Sequence, residues 1–441
     1  MDSSVGHSTR SRQPMMSSMC ILFVVVAATQ GAEHECEESA RAGVFFSDED
    51  FPGTPGRIAN RKFAAGNLAE HVSRWRTPYD ASAGPLTREE HTQFFDDGFV
   101  VLHDVLPIEV IDDAVAAVDG LVDGLARKLL AAGKITSMHA GAGVHAQLVR
   151  IEEEFPHASV LLHKNGILPA GIQRVWSHPK LIGVAQQLLG TDAGIAGHPV
   201  WNLRCKTPET LSGGQATVPW HQDNAYLAEE SWHMLQVTAW VPLVDTNTTN
   251  GCMQVVRGAH TPGGTVRHAC CVGGTWYVET TPAELAATLG ADMAADVVTC
   301  PVPRGGVLLL NNLTPHRSLP NLSDGIRWSL DLRWQRHGEP NGFEGIKRSV
   351  LMKPAHTSYN GTVDFGDWAV QDRTKLMSAA HAKQQQRHGS RDDERTAAEG
   401  EHAASERQGA EEVFDTTIAG PWMKAWPLVH RNRHTDMLRD V

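Results

Sequence analysis

The sequence predicts a mainly β fold with flanking helices, its second half forming a barrel or jelly roll. Three observations carry this expectation. From His198 to about Gln335 the apolar runs are short and rich in β-branched residues, as in "LQVTAWVPLVD", "GCMQVVRGAH", "GVLLLNNL" and "IRWSLDLRW". Gly, Pro and Asn punctuate these runs at moderate spacing, as in a sheet that closes on itself. Before His198 the apolar residues recur instead with a helical period.

Taken in order, the chain opens on a signal or targeting segment over residues 1–32. A basic flank precedes the apolar run from Met19 to Ala28, and the small residues Gly31 and Ala32 follow. The run is too short to span a bilayer comfortably, so no integral span is expected in the mature chain. Residues 33–86 read as an irregular region with loop chemistry in "FPGTPGR".

A single domain is expected over 87–375, with a helical part at 87–197 and a β core at 198–336. Thr87 and Glu90 have capping-box spacing, so a helix starts there and Gly98 ends it. "FVVLHDVL" reads as a strand. Pro107 opens a second helix whose apolar positions Val110, Ile111, Ala114, Val115, Val118, Leu121, Val122 and Leu125 keep the 3.6 period. "SHPKLIGVAQQLLG" (177–190) makes a third, and "TPAELAATLGAD" (281–292) a helical insertion within the β core. Residues 376–412 hold almost no large apolar side chains and read as a disordered linker. The tail at 413–441 regains apolar character in "VFDTTIAGPWMKAWPLV" and is expected to dock back.

Bulk charge narrows the partners. With 39 Lys and Arg against 51 Asp and Glu, the net charge of −12 lacks the positive field that captures nucleic acid. A small-molecule partner is expected. The seven cysteines contain no CxxC pair, which argues against a zinc ribbon and favours free core thiols. Asn-x-Ser/Thr sequons occur at Asn247, Asn312, Asn321 and Asn360, usable only in a secretory compartment.

The chemistry concentrates in "VPWHQDNAYL". His221 and Asp223 are separated only by Gln222. On an extended chain, residues i and i+2 point to one side, so the pair can reach one ion; on a turn they are two polar residues. Spacing alone is weak, because "RHTD" (His434, Asp436) and "RHGE" (His337, Glu339) repeat it. Context is stronger. A 2-His-1-carboxylate triad for non-haem iron needs a distant histidine, and an anionic co-substrate needs a cation. "RGGVLLLNNLTPHRSLPNLSDGIRWSLDLRW" supplies His316 at a turn and Arg327 eleven residues on. Arg327, Ser329, Asp331 and Arg333 share one strand face, and parity cannot separate Arg327 from Arg333 as the anion's partner.

"HQD" after a Trp-containing turn, "TAWVPLVDTNTTNGCMQVVRGAH", "LTPHRS" and "GIRWSL" together resemble the phytanoyl-CoA dioxygenase family over roughly residues 87–335. The resemblance implies a double-stranded β-helix (jelly roll, cupin-like) and an Fe(II)/2-oxoglutarate-dependent dioxygenase. Such an enzyme hydroxylates a small organic substrate with dioxygen and releases succinate and CO2, with ascorbate as a compatible reductant. It implies His221, Asp223 and His316 as catalytic metal ligands, and Arg327 with Ser318 on the distal carboxylate of 2-oxoglutarate. Gln222 and Trp240 fall at co-substrate-lining positions. Met253 and Arg257 depart from the commoner family residues, and Lys206 is the one candidate for an upstream lysine that some relatives use. With Asp223 present, hydroxylation rather than halogenation is implied. Two other readings are a hydroxylase of protein side chains, which suits a secretory signal, and a silent metal- or ligand-binding barrel. The compartment expected is the secretory pathway or an organelle, and otherwise the cytoplasm.

Overall fold

A computed structural model describes residues 68–370, apart from 165, 272–273 and 344–347, together with Arg57–Ile58 and most of 414–435. The expected signal segment and linker lie outside the described residues.

Two antiparallel sheets face one another. Their strands are β1 (Phe99–Leu102), β2 (Ile195–Gly197), β3 (Asn202–Lys206), β4 (Val237–Pro242) and β5 (Met253–Val256). There follow β6 (Val297–Cys300), β7 (Val307–Asn311), β8 (His316–Ser318), β9 (Arg327–Arg336) and β10 (Val350–Lys353). The large sheet has seven strands in the order β10-β2-β9-β4-β7-β1, with β3 also paired to β9. The small sheet runs β6-β5-β8. Neighbours distant in sequence pair throughout, as β9 does with both β3 and β4. This is the jelly-roll arrangement of a double-stranded β-helix.

The β core reaches beyond 198–336. Phe99–Leu102 pairs with β7, Ile195–Gly197 with β9, and Val350–Lys353 extends the same sheet. The reason is plain for β1: its alternate side chains Phe99 and Val101 join one apolar cluster, while Val100 and Leu102 join another. Both faces are covered, so the strand is held inside a sandwich.

The helices pack on the outer face of the large sheet. Arg88–Asp97 starts with the expected capping box from Thr87 and Glu90 and ends at Gly98, where φ is +87°. Ile108–Ala131 buries Ile111, Ala114, Val118, Val122 and Leu125 at the helical period, forming the main core with Pro179–Leu189. Three shorter helices, Val144–Glu154, Ala158–Lys164 and Ala170–Trp176, lie where the sequence shows no strong periodicity. Pro282–Leu289 is the expected insertion, capped by Thr281.

The tail does dock. Trp422 and Trp426 are buried in a second apolar cluster with Trp232, Trp276 and Tyr277. The indoles of Trp232 and Trp426 stack at 5.8 Å, and Trp426 Nε1 donates to Ala225 O at 2.7 Å. Cys205, Cys252 and Cys300 are free thiols as expected, whereas Cys270 and Cys271 are bonded to each other. Among the described residues no helix is long and apolar enough to cross a membrane.

Candidate functional site

His221 and His316 meet across an antiparallel β-bridge, each backbone N–H donating to the other's carbonyl at 3.0 and 2.9 Å. The pairing brings the imidazoles to 4.2 Å between ring centroids. Gln222 is extended, with φ −104° and ψ 140°, and Asp223 then opens a short 3-10 turn over Asp223–Tyr226. The histidine is thus at the edge of the sheet and the aspartate at the start of a turn. One extended residue between them is enough to put both on one side. The Nε2 atoms of His221 and His316 lie 3.8 and 3.9 Å from Asp223 Oδ1. All three side chains are buried.

Each ligand atom is aimed by its neighbours. His221 Nδ1 bonds Pro219 O at 2.9 Å, and His316 Nδ1 bonds Thr314 O at 3.0 Å. A carbonyl can only accept, so each Nδ1 carries the proton and each Nε2 keeps its lone pair for the cluster. Burial and the adjacent His316 keep His221 neutral, well below the usual histidine range. Burial would raise the Asp223 pKa, but Arg333 and the two histidines pull it well below the usual carboxylate range. Two imidazoles and one carboxylate, with one donor atom each within 4.8 Å of the others, fit a divalent cation and leave positions open for further ligands.

The polar face of β9 separates the rival arginines by depth. Arg333 stands opposite Thr238 and binds Asp223 with Nε to Oδ2 at 3.1 Å and Nη2 to Oδ1 at 3.0 Å. Thr238 Oγ1 also donates to Oδ2, at 2.9 Å. Arg327 stands at the other end of the strand, opposite Lys206 of β3. Its Nη1 donates to Ser329 Oγ at 2.6 Å, and its guanidinium lies 5.1 Å from the Trp240 ring centroid. Its Nε is buried with no hydrogen-bond partner. Burial lowers its pKa to about 10, still high enough to keep the charge. Beside it, Lys206 Nζ reaches Ser318 Oγ at 3.0 Å, Ala216 O at 2.9 Å and Thr217 Oγ1 at 3.3 Å. An orphaned, charged guanidinium next to an amine and a hydroxyl is the chemistry that takes a carboxylate.

One cavity of about 350 Å³ joins these parts, lined by His221, His316, Trp240, Ser318, Lys206 and Arg327 among others. Gln222 is not brought to it. The same alternation that turns its neighbours inward turns Gln222 outward, where Nε2 donates to Leu313 O at 2.7 Å and Oε1 accepts from Val266 N at 2.8 Å. His434 lines the cavity without joining the metal-ligand cluster, its Nδ1 bonded to Thr416 O at 2.9 Å. Sequence reasoning missed Arg204 and Tyr277 in the lining. Arg204 and Lys206 alternate along "NLRCK" and pair with the polar face of β9, and that signal points to both. The sequons split as well. Asn247 and Asn360 are exposed, whereas Asn312 and Asn321 are fully buried with their amides hydrogen-bonded.

A jelly roll with a His-Asp-His cluster facing an unneutralised guanidinium defines a non-haem iron oxygenase that uses a keto diacid as co-substrate. The model of the phytanoyl-CoA dioxygenase (PhyH) family matches residues 94–329, and the chain belongs to that family. Among its relatives is the 1-deoxypentalenic acid 11-β-hydroxylase of Streptomyces arenae, 26% identical over 263 residues, covering 59% of this chain and 85% of that protein. The hydroxylase of the same name from Streptomyces exfoliatus is 24% identical over 269 residues, with the same coverage of each chain. Among solved structures, the apo form of the non-haem monooxygenase ThoJ shares 20% identity at a TM-score of 0.41, covering 66% of this chain and 98% of its own. The chain is an Fe(II)/2-oxoglutarate-dependent dioxygenase that hydroxylates a small organic substrate with dioxygen, releasing succinate and CO2.

Proposed function

We propose that His221, Asp223 and His316 hold the ferrous ion, and that Arg327, with Ser318 and Lys206 beside it, holds the distal carboxylate of 2-oxoglutarate. The observation that carries this reading is the convergence of the three donor atoms beside a cavity that is lined by His221, His316 and Arg327, the last with its Nε buried and without a hydrogen-bond partner. When bound, the iron and its co-substrate supply an oxidant from dioxygen that exchanges a substrate C–H for C–OH.

The chain's own residues do the rest by placement. Arg333 and Thr238 both donate to Oδ2 of Asp223, whereas Oδ1 takes one bond from Arg333 and is the oxygen that lies 3.8 and 3.9 Å from the two histidine Nε2 atoms. A single metal-facing carboxylate oxygen leaves room for a chelating keto acid and dioxygen. Arg327 fixes the co-substrate's far end, which sets where its keto-acid end meets the metal. Trp240 walls the same channel and screens the guanidinium from water, so its hydrogen bonds to an anion gain strength. The substrate enters from the side of His157, His163 and Trp276 and needs one C–H bond aimed at the metal's open position. A cavity of about 350 Å³ sits at the small end of ligand sites, which favours a compact substrate.

The basic flank and apolar run at 19–28 support entry into the secretory pathway or an organelle. Asn247 and Asn360 are the sequons a glycosylating compartment would modify.

The deciding experiment is anaerobic purification, ferrous reconstitution and measurement of succinate formed from 2-oxoglutarate under air. One equivalent of ferrous ion and succinate release are expected. His316→Ala removes both. A wild-type protein that takes up no iron, or a His316→Ala protein that keeps it, overturns the assignment.

A further inference from the structure

Charge inside the barrel does not balance when the site is loaded as proposed above, and the imbalance has a location. Three arginines and a lysine line the cavity: Arg204, Arg327, Arg333 and Lys206, the last with its charge disfavoured by burial and by the adjacent Arg327. Two carboxylates answer them, Asp331 in the lining and Asp223 in the metal-ligand cluster. Arg333 takes Asp223 with two hydrogen bonds, and Arg204 Nε takes Asp331 Oδ2 at 2.7 Å. Asp331 is shared, since Arg333 Nη2 lies 3.9 Å from its Oδ2. Lys206 and Arg327 are left over. A ferrous ion adds two positive charges and 2-oxoglutarate brings two negative ones, so the loaded barrel keeps a surplus of positive charge. A surplus in a buried space calls for another anion.

At the rim, Glu152 and Glu153 also line the cavity. Glu152 is tied down locally, accepting from His157 N at 2.8 Å, Ser159 N at 2.9 Å and Ser159 Oγ at 3.3 Å. Burial raises its pKa, which weakens its share of negative charge. Glu153 is exposed and screened by water.

Arg204, paired through Nε with Asp331, is the cation that lies beside the aromatic part of the cavity lining. It stands opposite Ser329, one inward-facing pair along from the Arg327–Lys206 pair, and Tyr277 at the mouth lies 5.9 Å from its guanidinium carbon. Asp331 keeps it charged against the cost of burial. Beyond it the mouth is lined by flat rings: Trp276 lies 5.1 Å from His163 and 5.5 Å from His434, centroid to centroid. Rings of this kind take the apolar body of a ligand, while a guanidinium takes its acidic end.

We propose that the substrate is a small organic acid whose carboxylate docks on Arg204 while its apolar body lies against Trp276 and Tyr277. The proposal rests on the metal and co-substrate assignment given above. Arg204 then fixes the distance between the acid group and the carbon presented to the metal, which makes it a specificity-determining residue.

The test uses full-length protein loaded anaerobically with ferrous ion and 2-oxoglutarate, so that nothing turns over. Isothermal titration calorimetry with a series of linear and cyclic C6–C15 carboxylic acids, each paired with its methyl ester, reads the preference directly. At least one acid is expected to bind tenfold or more tighter than its ester. Arg204→Gln, which keeps a donor for Asp331, is expected to erase that preference, and Arg204→Lys to keep part of it. Both variants should bind 2-oxoglutarate as the wild type does, while Arg204→Gln, which leaves Asp331 without its charged partner, should unfold at a lower temperature than Arg204→Lys. No acid in the series beating its ester overturns the proposal. So does an Arg204→Gln protein that loses 2-oxoglutarate affinity instead, for that residue would then serve the co-substrate. A wild-type protein that binds neither ferrous ion nor 2-oxoglutarate overturns the earlier assignment, and this proposal with it.

Discussion

Arg333 grips both oxygens of Asp223, with Nη2 on Oδ1 at 3.0 Å and Nε on Oδ2 at 3.1 Å. Both residues are buried, at 6% and 5% exposure, so neither charge finds water if the other is removed. Breaking such a pair costs about 3–5 kcal/mol. Arg333→Met is expected to lower the stability of the metal-free protein by that order. A bound divalent ion restores a positive neighbour to Asp223, so ferrous ion should rescue the variant by more than it stabilises the wild type. Denaturant unfolding with and without metal checks this. Equal stability of the two apo proteins would show the pair to be incidental.

Arg327 should behave in the opposite way. It touches no metal-ligand residue, and its free Nε awaits an acceptor. Charge-assisted hydrogen bonds contribute about 1.5–3 kcal/mol. Arg327→Met is therefore expected to raise KM for 2-oxoglutarate on the order of 100-fold, with ferrous affinity unchanged. Uncoupled 2-oxoglutarate consumption and a metal titration on each arginine variant separate the two roles. A normal KM in Arg327→Met returns Arg333 to candidacy.

Glu279, two residues beyond Tyr277, gives a pH signature of its own. It is 2% exposed, its Oε2 has no hydrogen-bond partner, and burial pushes its pKa up to about 8 from 4.5. The unfolded chain releases this proton near 4.5 and the folded chain near 8. Between these values the folded state holds the extra proton, so this residue erodes stability as pH rises through the window. Glu279→Gln removes the effect. Its advantage in Tm over wild type should be small at pH 5 and grow to its full value by pH 8, corresponding to a few kcal/mol at most. A pH-independent difference contradicts the assignment.

Gly98 couples a helix end to a ligand. At φ +87° an added Cβ would lie 2.4 Å from Thr314 Oγ1 and 2.6 Å from His260 Nδ1. Thr314 O is the acceptor that orients His316. Gly98→Ala combines left-handed backbone strain of about 1 kcal/mol with displacement of Thr314. Lower Tm and at least tenfold weaker ferrous binding are expected together. Loss of stability with unaltered metal affinity would uncouple the cap from His316.

Much of this was legible in the residues. The capping box at Thr87, the Gly98 stop and the apolar stripe from Val110 to Leu125 are local signals, and they produced local elements. The inward pairing of His221 and Asp223 needed only that Gln222 be extended, and it is. Alternation also decides Gln222 itself, since a residue between two inward neighbours faces outward. What alternation cannot give is depth along a strand. Arg327 and Arg333 share a face, and only the register of β9 against β3 and β4 shows one beside Lys206 and the other beside Thr238. The helices at 144–176 were missed because they are short and capped by backbone and tertiary packing. The cavity's rim was missed for a related reason, being assembled from segments more than a hundred residues apart.

The docked tail makes the barrel's chemistry depend on residues outside the span that the family model matches. His434 lines the cavity, and Trp426 braces Ala225, two residues from Asp223, yet both fall beyond the matched span of 94–329. Swapping this appendage between related enzymes is therefore a route to new substrate ranges that leaves the iron ligands untouched. Trimming the chain to its homologous part would discard a wall of the reaction chamber along with the tail.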